Sequence, residues 1–223
     1  MIKALIFDFD GLILETEMPQ FQAWQEVYSH YGITLTLTTW LPLLGTGRSS
    51  QPFHPHDHLE AQLGQALDRE EIRIRQKQRY AELLETQVLL PGVEALVAEA
   101  KQRRLQLAVA SSSSRQWVTG HLARYGLEAH FDYIACGDEV PRTKPFPDVY
   151  CAALKKLGIS GHQAIAFEDS LNGVQAAKRA GIYCVAVPNP LMQHLVYDLA
   201  DLQFASLADV SLDDLLTSFS DEC

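Results

Sequence analysis

The chain has 223 residues, of which 47% are hydrophobic and 21% charged, and its formal net charge at pH 7 is −10. This composition is typical of a soluble globular protein with one sizeable core, or with one core and an inserted module. The negative charge argues against a nucleic-acid or anionic-membrane partner, and no apolar run approaches the ~20 residues that span a bilayer, so we expect a cytoplasmic protein.

The first predicted element is an apolar strand over residues 2–9, and two carboxylates lie at its end. Asp8 and Asp10 are separated by one residue, so in an extended strand their side chains lie on the same face. Two carboxylates in that position repel each other unless a cation lies between them or one holds a proton. Gly11 follows at once, and glycine lets the backbone approach a ligand closely. The segment therefore predicts a phosphate and Mg²⁺ site at the end of a buried strand.

A helical pattern follows the first strand. Apolar and aromatic residues recur there at three- and four-residue spacing, as on one face of a helix: Phe21, Trp24, Val27, Tyr28 and Tyr31. A second helix is predicted over residues 58–67, and Asp68 is expected to cap a third. We interpret residues 15–87 as a helical module inserted into a core that comprises residues 1–14 and 88–223.

Short apolar strands and helical patterns alternate through the rest of the chain. The predicted strands cover residues 106–110, 133–136, 164–167 and 183–187. Each is followed by a predicted helix, and these helices cover residues 116–125, 147–157, 171–180 and 192–199. This alternation is typical of a parallel sheet with helices on both faces. The predicted fold class is therefore α/β, a doubly wound parallel sheet with a helical insert.

Polar side chains follow four of the strands at their carboxyl ends, where ligands bind in open parallel sheets. They are Asp8 and Asp10, Ser111, Lys144 on the loop after the third strand, and Glu168 with Asp169. We expect this set to converge on one point. Carboxylates, a hydroxyl and a lysine suit phosphoryl transfer, because the charge on the phosphate oxygens must be offset and two oxygens must be held in line.

Each residue has a chemical role in a phosphoryl-transfer site. Asp8 would attack phosphorus and form an aspartyl phosphate, and Asp10 would protonate the departing alcohol and then deprotonate the incoming water. Ser111 and the backbone amide of Ser112 would donate hydrogen bonds to phosphate oxygens. Lys144 would add a compact positive charge beside the same oxygens.

The same strand ends offer oxygen ligands for Mg²⁺, which prefers octahedral coordination and retains several waters. Asp8 and Asp169 are the predicted side-chain ligands. Asp10 would contribute its backbone carbonyl, and Glu168 would bind the ion directly or through a water. The predicted cofactor is therefore Mg²⁺, and the predicted partner is a small phosphorylated metabolite.

Taken together, these residues resemble the haloacid dehalogenase superfamily of phosphotransferases. Its four motifs are matched in order by Asp8-Phe-Asp10-Gly-Leu-Ile-Leu-Glu-Thr16, Ser111, Lys144-Pro and Glu168-Asp169-Ser-Leu-Asn-Gly173. The resemblance covers essentially the whole chain. It implies a Rossmann-like core, a small C1-type cap formed by the helical insert, and the aspartyl-phosphate route with Mg²⁺. Asp10 argues against haloacid chemistry, since dehalogenase members lack this second aspartate.

Within the superfamily the chain is similar to the subgroup of β-phosphoglucomutase, phosphoglycolate phosphatase and small sugar-phosphate phosphatases. The segment Leu44-Gly-Thr-Gly-Arg48-Ser resembles the substrate-specificity loop of the cap, and this resemblance implies that Arg48 reaches a distal phosphate. Trp24 stands where the mutases of the subgroup carry a tryptophan. The expected substrate-binding residues are therefore Gly11, Ser112, Arg48 and Trp24.

Two alternatives to a phosphatase stay open. Gln20 replaces the histidine that the mutases place one turn before their tryptophan, which favours a phosphatase of small sugar-type phosphates over a β-phosphoglucomutase-like mutase. A non-enzymatic phospho-acceptor switch would also combine clustered acids, a hydroxyl and a lysine on a doubly wound sheet. The helical insert and Asp10 argue against a switch, since a switch needs no acid for a leaving group. In each case we expect a monomer.

Three remaining features are interpreted as structural. The histidines of His54-Pro-His56-Asp57-His58 could chelate zinc, but a structural zinc site requires four fixed ligands. We therefore expect a surface loop of the insert, with Asp57 capping the helix that follows. Residues 69–79 interleave acids and bases, which predicts a solvated helix face. The four cysteines lack CxxC spacing and are expected to be reduced thiols.

Overall fold

A six-stranded sheet lies at the centre of the protein, whose structure is a computed structural model that describes residues 1–45 and 52–219. The strands are β1 (Ala4–Phe7), β2 (Gln106–Ala110), β3 (Tyr133–Ala135), β4 (Ala164–Glu168), β5 (Tyr183–Ala186) and β6 (Leu202–Gln203). Their order across the sheet is β3-β2-β1-β4-β5-β6, and all neighbours are parallel. The predicted α/β fold with a Rossmann-like parallel sheet is confirmed.

The α-helices fall into two groups along the chain. Those between β1 and β2 are α1 (Glu17–His30), α2 (Leu37–Trp40), α3 (Pro55–Leu63), α4 (Arg69–Glu85) and α5 (Val93–Gln102). Those after β2 are α6 (Arg115–Arg124), α7 (Asp148–Leu157), α8 (Leu171–Arg179) and α9 (Leu212–Ser218). Helix α5 belongs with the second group in space, because it packs against β2.

Helices cover both faces of the sheet because side chains alternate between the faces along each strand. In β1, Leu5 and Phe7 lie in one apolar cluster, and Ala4 and Ile6 lie in the other. The first cluster also contains buried residues of α5, α6 and α9, and the second contains buried residues of α7 and α8. The sheet is therefore doubly wound, as predicted.

Helices α1 to α4 share a third apolar cluster, which two buried residues that follow β5 also join. Its largest side chains include Phe21, Trp24, Tyr28, Trp40 and Leu59. Asp68 caps α4 as predicted, because its side chain accepts hydrogen bonds from the amides of Glu70 and Glu71 at 3.0 Å. Helix α3 begins at Pro55, earlier than the predicted start at residue 58, since proline is favoured in the first turn of a helix.

The chain enters and leaves the α1–α4 segment at adjacent positions. Leu14 pairs with Leu89 in an antiparallel bridge, and the Leu90 amide donates to the Ile13 carbonyl oxygen at 3.0 Å. At the start of α8, the side-chain amide of Asn172 donates to the carbonyl oxygen of Leu44 at 3.1 Å. The segment is thus joined to the sheet layer at its root and beside α8.

One predicted helix is wrong. Residues 192–199 form two turns joined by irregular backbone, and their apolar side chains face different neighbours. Met192 lies in the cluster of α1–α4, whereas Tyr197 lies in a core cluster of the sheet. The apolar residues are spaced as on one face of a helix, but they pack in two different clusters. Neither the short strand β6 nor helix α9 was predicted.

The histidine-rich segment is not the predicted surface loop. His54 is the N-cap residue of α3, and His56 is only 8% exposed, with its ring 5.0 Å from that of Trp24 between centroids. Asp57 was predicted to cap the helix, but the N-cap residue is His54. Asp57 lies inside the first turn and pairs with Arg69 at 2.7 Å, because the preceding proline places the start of the helix upstream.

Two smaller predictions concern surface charge and thiols. The charge-rich face of α4 is exposed, as predicted, and Arg73 pairs there with Glu70 and Arg79 with Glu26. The cysteines within the described residues are free: Cys136, Cys151 and Cys184. Among the helices of residues 1–45 and 52–219, none is long and apolar enough to cross a membrane.

Candidate active site

Four predicted site residues converge at the carboxyl ends of the neighbouring strands β1 and β4: Asp8, Lys144, Glu168 and Asp169. Lys144 Nζ lies 2.6 Å from Asp8 Oδ1 and 2.7 Å from Glu168 Oε1. One carboxylate oxygen from each of Asp8, Glu168 and Asp169 lies within 4.8 Å of the other two. All four side chains are buried. We refer to them as the acid–lysine cluster.

Strand pairing brings these groups together although they are far apart in the sequence. Phe7 pairs with Phe167, and the Asp8 amide donates to the Phe167 carbonyl oxygen at 3.0 Å. Asp8 therefore follows β1 at the level where Glu168 ends β4. Lys144 reaches the same point from the connection between β3 and α7. This is the sheet edge at which ligands bind in open parallel sheets.

Burial dominates the electrostatics of the acid–lysine cluster, because it disfavours charged forms. Burial raises the pKa of Asp8, against the lowering effect of nearby Lys144. It raises the pKa of Glu168 to about 7 and holds the pKa of Asp169 well above its usual value. Burial acts to lower the pKa of Lys144, but Asp8 and Glu168 outweigh it and hold that pKa above its usual value. Because three carboxyl groups surround a single ammonium, the site favours the binding of a further cation.

Two buried oxygens of the cluster have no hydrogen-bond partner among the described residues: Glu168 Oε2 and Asp169 Oδ1. Buried polar atoms are normally paired, and carboxylate oxygens are ligands that Mg²⁺ prefers. Gly11, at φ +79°, lies so close to Asp169 that a Cβ there would collide with the carboxylate. Side-chain oxygens of Asp8, Glu168 and Asp169 could therefore hold a divalent cation.

Three polar side chains that sequence reasoning missed orient the acids. Asn189 Nδ2 donates to Asp169 Oδ2 at 2.6 Å, and the Tyr197 hydroxyl donates to the Asp169 carbonyl oxygen at 2.7 Å. The Tyr150 hydroxyl donates to Glu168. Asn189 lies shortly after β5, so the search for polar residues after strands could have found it. Tyr150 lies in a helix and Tyr197 in irregular backbone, so neither carried such a signal.

Asp10 lies beside the cluster, and each of its two carboxylate oxygens accepts hydrogen bonds from two donors. Oδ1 accepts hydrogen bonds from the Thr16 hydroxyl and the Trp117 indole Nε1, each at 2.9 Å. Oδ2 accepts from the Ser113 hydroxyl at 2.6 Å and from the Ser111 hydroxyl at 3.4 Å. Contacts on both oxygens hold the carboxyl group of Asp10 in one orientation.

The two aspartates have different hydrogen-bond partners. Strand β1 ends at Phe7, so the alternation of an extended strand does not continue through Asp8 and Asp10. Asp8 faces Lys144, whereas Asp10 faces the hydroxyl of Thr16. The turn after β1 therefore separates the two carboxylates into different hydrogen-bonding environments.

The two predicted serines follow β2, and Ser111 contacts Asp10. Ser111 is buried after β2, where its hydroxyl accepts a hydrogen bond from the Ser113 amide at 3.0 Å. The Ser112 hydroxyl oxygen is buried and has no hydrogen-bond partner within the part of the chain that the structure describes. The hydroxyl of Ser111 is thus engaged, and that of Ser112 retains its hydrogen-bonding capacity.

Glu17 is a further carboxyl group that sequence reasoning missed. Burial raises its pKa to about 8, and the negative charges of Asp10 and Glu15 act in the same direction. The backbone amide of Gly45 is hydrogen-bonded to it. The sequence feature that could have identified Glu17 is its position directly after the first motif, which ends at Thr16. The raised pKa favours the protonated carboxyl group, which can donate a hydrogen bond.

The remaining predicted substrate-binding residues are not part of the acid–lysine cluster. Trp24 is 6% exposed and packs among the apolar side chains of α1–α4, perpendicular to the rings of His56 and Tyr28. A contact between Trp24 and a substrate stays a prediction. Arg48 lies outside the described residues.

Comparison with known protein families identifies a match over most of the chain. The family model described as Haloacid dehalogenase-like hydrolase matches residues 5–187. The matched region begins within β1 and ends directly after β5. It therefore contains the whole acid–lysine cluster, together with Asp10 and Ser111.

Similar proteins include named phosphatases. A protein of Bacillus subtilis (strain 168) named "Putative phosphatase YhcW" is 43% identical over 212 residues, which are 95% of this chain and 95% of that protein. Hexitol phosphatase B of Escherichia coli (strain K12) is 31% identical over 226 residues, covering 96% of this chain and 97% of that protein. Among solved structures, a CbbY variant from Rhodobacter sphaeroides in complex with xylulose-(1,5)bisphosphate has a TM-score of 0.74 and 31% identity, covering 95% of this chain and 97% of that one.

Proposed function

The chain belongs to the haloacid dehalogenase-like hydrolase family and is a phosphoric monoester hydrolase, and on this premise we propose a Mg²⁺-dependent phosphatase of small sugar phosphates. The phosphatases among its relatives and the relative that binds a xylulose bisphosphate support this substrate class. We propose further that hydrolysis passes through an aspartyl phosphate on Asp8.

The contact between Lys144 and Asp8 is the observation that carries the proposal. An ammonium 2.6 Å from a buried carboxylate favours its ionised form, which is the form that can attack phosphorus. The same ammonium lies 2.7 Å from Glu168, so it is held between two acids at the sheet edge where ligands bind. A phosphate that approached Asp8 would meet this positive charge.

The first half of the proposed reaction transfers the phosphoryl group to the protein. An Asp8 carboxylate oxygen forms a bond to phosphorus while the bond between phosphorus and the sugar oxygen breaks. Protonated Asp10 gives its proton to that oxygen, so the sugar leaves as a neutral alcohol. Lys144 and the backbone amide of Ser112 contact the phosphate oxygens, whose charge is redistributed during the transfer.

The second half releases inorganic phosphate. Asp10, now a carboxylate, takes a proton from a water molecule while the water oxygen bonds to phosphorus. The bond between phosphorus and Asp8 breaks, and the nucleophile returns as a carboxylate. Asp10 ends the cycle protonated, which balances the proton that it gave in the first half.

Side-chain oxygens of Asp8, Glu168 and Asp169, with the Asp10 backbone carbonyl, would hold the Mg²⁺ ion. When bound, the ion would offset negative charge on the phosphate oxygens. The unpartnered oxygens Glu168 Oε2 and Asp169 Oδ1 support this assignment. Asn189 would keep the Asp169 carboxylate oriented toward the ion through the hydrogen bond to Oδ2.

We propose that residues 15–87 form a cap, with the core comprising residues 1–14 and 88–223. The separate apolar cluster of α1–α4 and the bridge between Leu14 and Leu89 support these boundaries. Closure of a cap would exclude bulk water during attack on phosphorus. Within this proposal Arg48 and Trp24 contribute to substrate selection from the cap.

Phosphate release from a panel of sugar phosphates tests the proposed function. Glucose 6-phosphate, sorbitol 6-phosphate and xylulose 5-phosphate are each supplied with MgCl₂, and again after removal of divalent ions with EDTA. We expect many phosphates released per chain, a loss of at least about 100-fold after chelation, and recovery when Mg²⁺ is returned. Full activity without divalent ions would contradict the metal assignment.

Analysis of the products, with β-glucose 1-phosphate added to the panel, separates the alternatives. A sugar phosphate isomer formed from β-glucose 1-phosphate and a bisphosphate primer would identify a mutase. A single phosphate retained per chain, without turnover, would identify a phospho-acceptor switch. The proposal requires free sugar and inorganic phosphate in equal amounts.

Asn189→Ala is expected to weaken Mg²⁺ binding by about 10- to 100-fold, because a residue that orients a metal ligand typically contributes that much. Isothermal titration calorimetry with MgCl₂ measures the change without any substrate. Gln87→Ala is the matched control, since within the described residues the Gln87 side-chain amide donates only to the Leu83 carbonyl oxygen, at 3.2 Å. Equal Mg²⁺ affinities in Asn189→Ala and the unmodified protein would count against the assigned role.

A further inference from the structure

The indole ring of Trp117, whose Nε1 donates to Asp10 Oδ1 at 2.9 Å, is held on two sides. His121, one turn further along α6, lies at an interplanar angle of 70° with ring centroids 4.3 Å apart. Tyr80 of α4 stacks on the indole at 18° and 5.7 Å. A planar side chain packed between two rings has little rotational freedom, so its N–H donor stays aimed at the carboxylate.

The contact joins two parts of the fold. Trp117 belongs to α6, which packs on the sheet, whereas Tyr80 belongs to α4 in the segment between β1 and β2. The side chain of Tyr80 also contacts Thr16, the second donor to Asp10 Oδ1. Burial raises the pKa of Tyr80 well above its usual value, so the phenol keeps its proton. Both donors to Oδ1 therefore depend on the position of α4.

We propose that Trp117 is a positioning residue for the proton transfers of Asp10, and that its stacking with Tyr80 couples this position to the α1–α4 segment. The inference rests on the proposed function, in which Asp10 protonates the sugar oxygen while the bond from that oxygen to phosphorus breaks. The indole hydrogen bond goes to Asp10 and not to the proposed nucleophile Asp8. Its loss should therefore slow the reaction only where the leaving group needs a proton.

Trp117→Phe tests the inference, because phenylalanine retains an aromatic ring for stacking and lacks the N–H donor. The measured quantity is kcat/KM, which reports the steps up to leaving-group departure. We expect kcat/KM to fall by about 10- to 100-fold with the best sugar phosphate of the panel, since general acid catalysis and precise placement each contribute on that scale. With 4-nitrophenyl phosphate, whose phenolate departs without a proton, we expect a fall of less than about 3-fold.

Two further variants sharpen the test. In an Asp10→Asn background, Trp117→Phe should have no additional effect on the sugar phosphate, because the two residues act as one unit. Tyr80→Leu removes the stacked ring from the α4 side and should cause a smaller loss with the same leaving-group dependence. It also keeps the inference testable should Trp117→Phe fail to fold.

Trp40→Phe is the matched control. Trp40 is 2% exposed, and its indole Nε1 has no hydrogen-bond partner among the described residues. This substitution removes the same N–H from a buried site and should leave kcat/KM for both substrates unchanged. Equal losses on the sugar and aryl phosphates in Trp117→Phe, or additive losses with Asp10→Asn, would overturn the inference and assign Trp117 a merely structural role. Unchanged turnover in Asp8→Asn would instead overturn the proposed function itself.

Discussion

Asp8→Asn is expected to lower phosphate release by more than about 10⁴-fold with every substrate, even at saturating Mg²⁺. The neutral amide is a poor nucleophile, so no bond to phosphorus forms at the first step. The change should leave the fold intact, because the amide oxygen can still accept the hydrogen bond that Lys144 donates at 2.6 Å. Steady-state phosphate release and urea unfolding measure the two effects separately.

Asp213→Asn is the matched control for this prediction. The Asp213 side chain is 74% exposed and pairs with Arg103 at 2.5 Å on the protein surface. The same change from carboxylate to amide there should leave turnover unaltered. Turnover above a tenth of the original rate in Asp8→Asn would remove Asp8 as the nucleophile.

Lys144→Met is expected to abolish measurable turnover and to lower the free energy of unfolding of the metal-free protein by about 3–5 kcal/mol. Methionine has a similar length but no charge, so Asp8 and Glu168 would lose the ammonium that lies 2.6 and 2.7 Å away. A buried carboxylate without a partner is strongly destabilising. Added Mg²⁺ should recover part of the stability, because it binds the same acids, but not the turnover.

Lys178→Met provides the comparison. Lys178 pairs with Asp201 at 2.6 Å, but both side chains are partly exposed, so the loss should be within about 1 kcal/mol. Urea unfolding of both variants, with and without MgCl₂, measures the difference. A Lys144→Met protein as stable as Lys178→Met without metal would contradict the electrostatic account of the acid–lysine cluster.

The strand-end residues were predictable because sheet topology alone brings them together. In a parallel sheet every strand ends at the same edge, so Asp8, Lys144 and Glu168 could be placed near one another without knowledge of any side-chain contact. The strands themselves were predictable because β1, β2 and β4 are buried and read as apolar runs. The order of strands and the pairing of Phe7 with Phe167 required the structure.

The environment of Asp10 was not predictable in the same way. Trp117 reaches Asp10 from inside a helix, and its spacing in the sequence resembles that of an ordinary buried aromatic residue. The contact exists because α6 packs beside the end of β1 and α4 supplies Tyr80 from the other side. The helix predicted over residues 192–199 was wrong for a related reason. The apolar spacing there is typical of a helix, but the side chains pack in two separate clusters.

Chemical trapping of the phosphorylated chain tests the central claim most directly. The protein is mixed with Mg²⁺ and a sugar phosphate that it hydrolyses. Sodium borohydride then reduces any acyl phosphate, so that a phosphorylated aspartate becomes homoserine. We expect peptide mass spectrometry to find homoserine at position 8, only when substrate is present, and not at position 10. Unmodified Asp8 in a protein that is turning over substrate, with trapping at Asp10 or at no position, would contradict the aspartyl-phosphate mechanism.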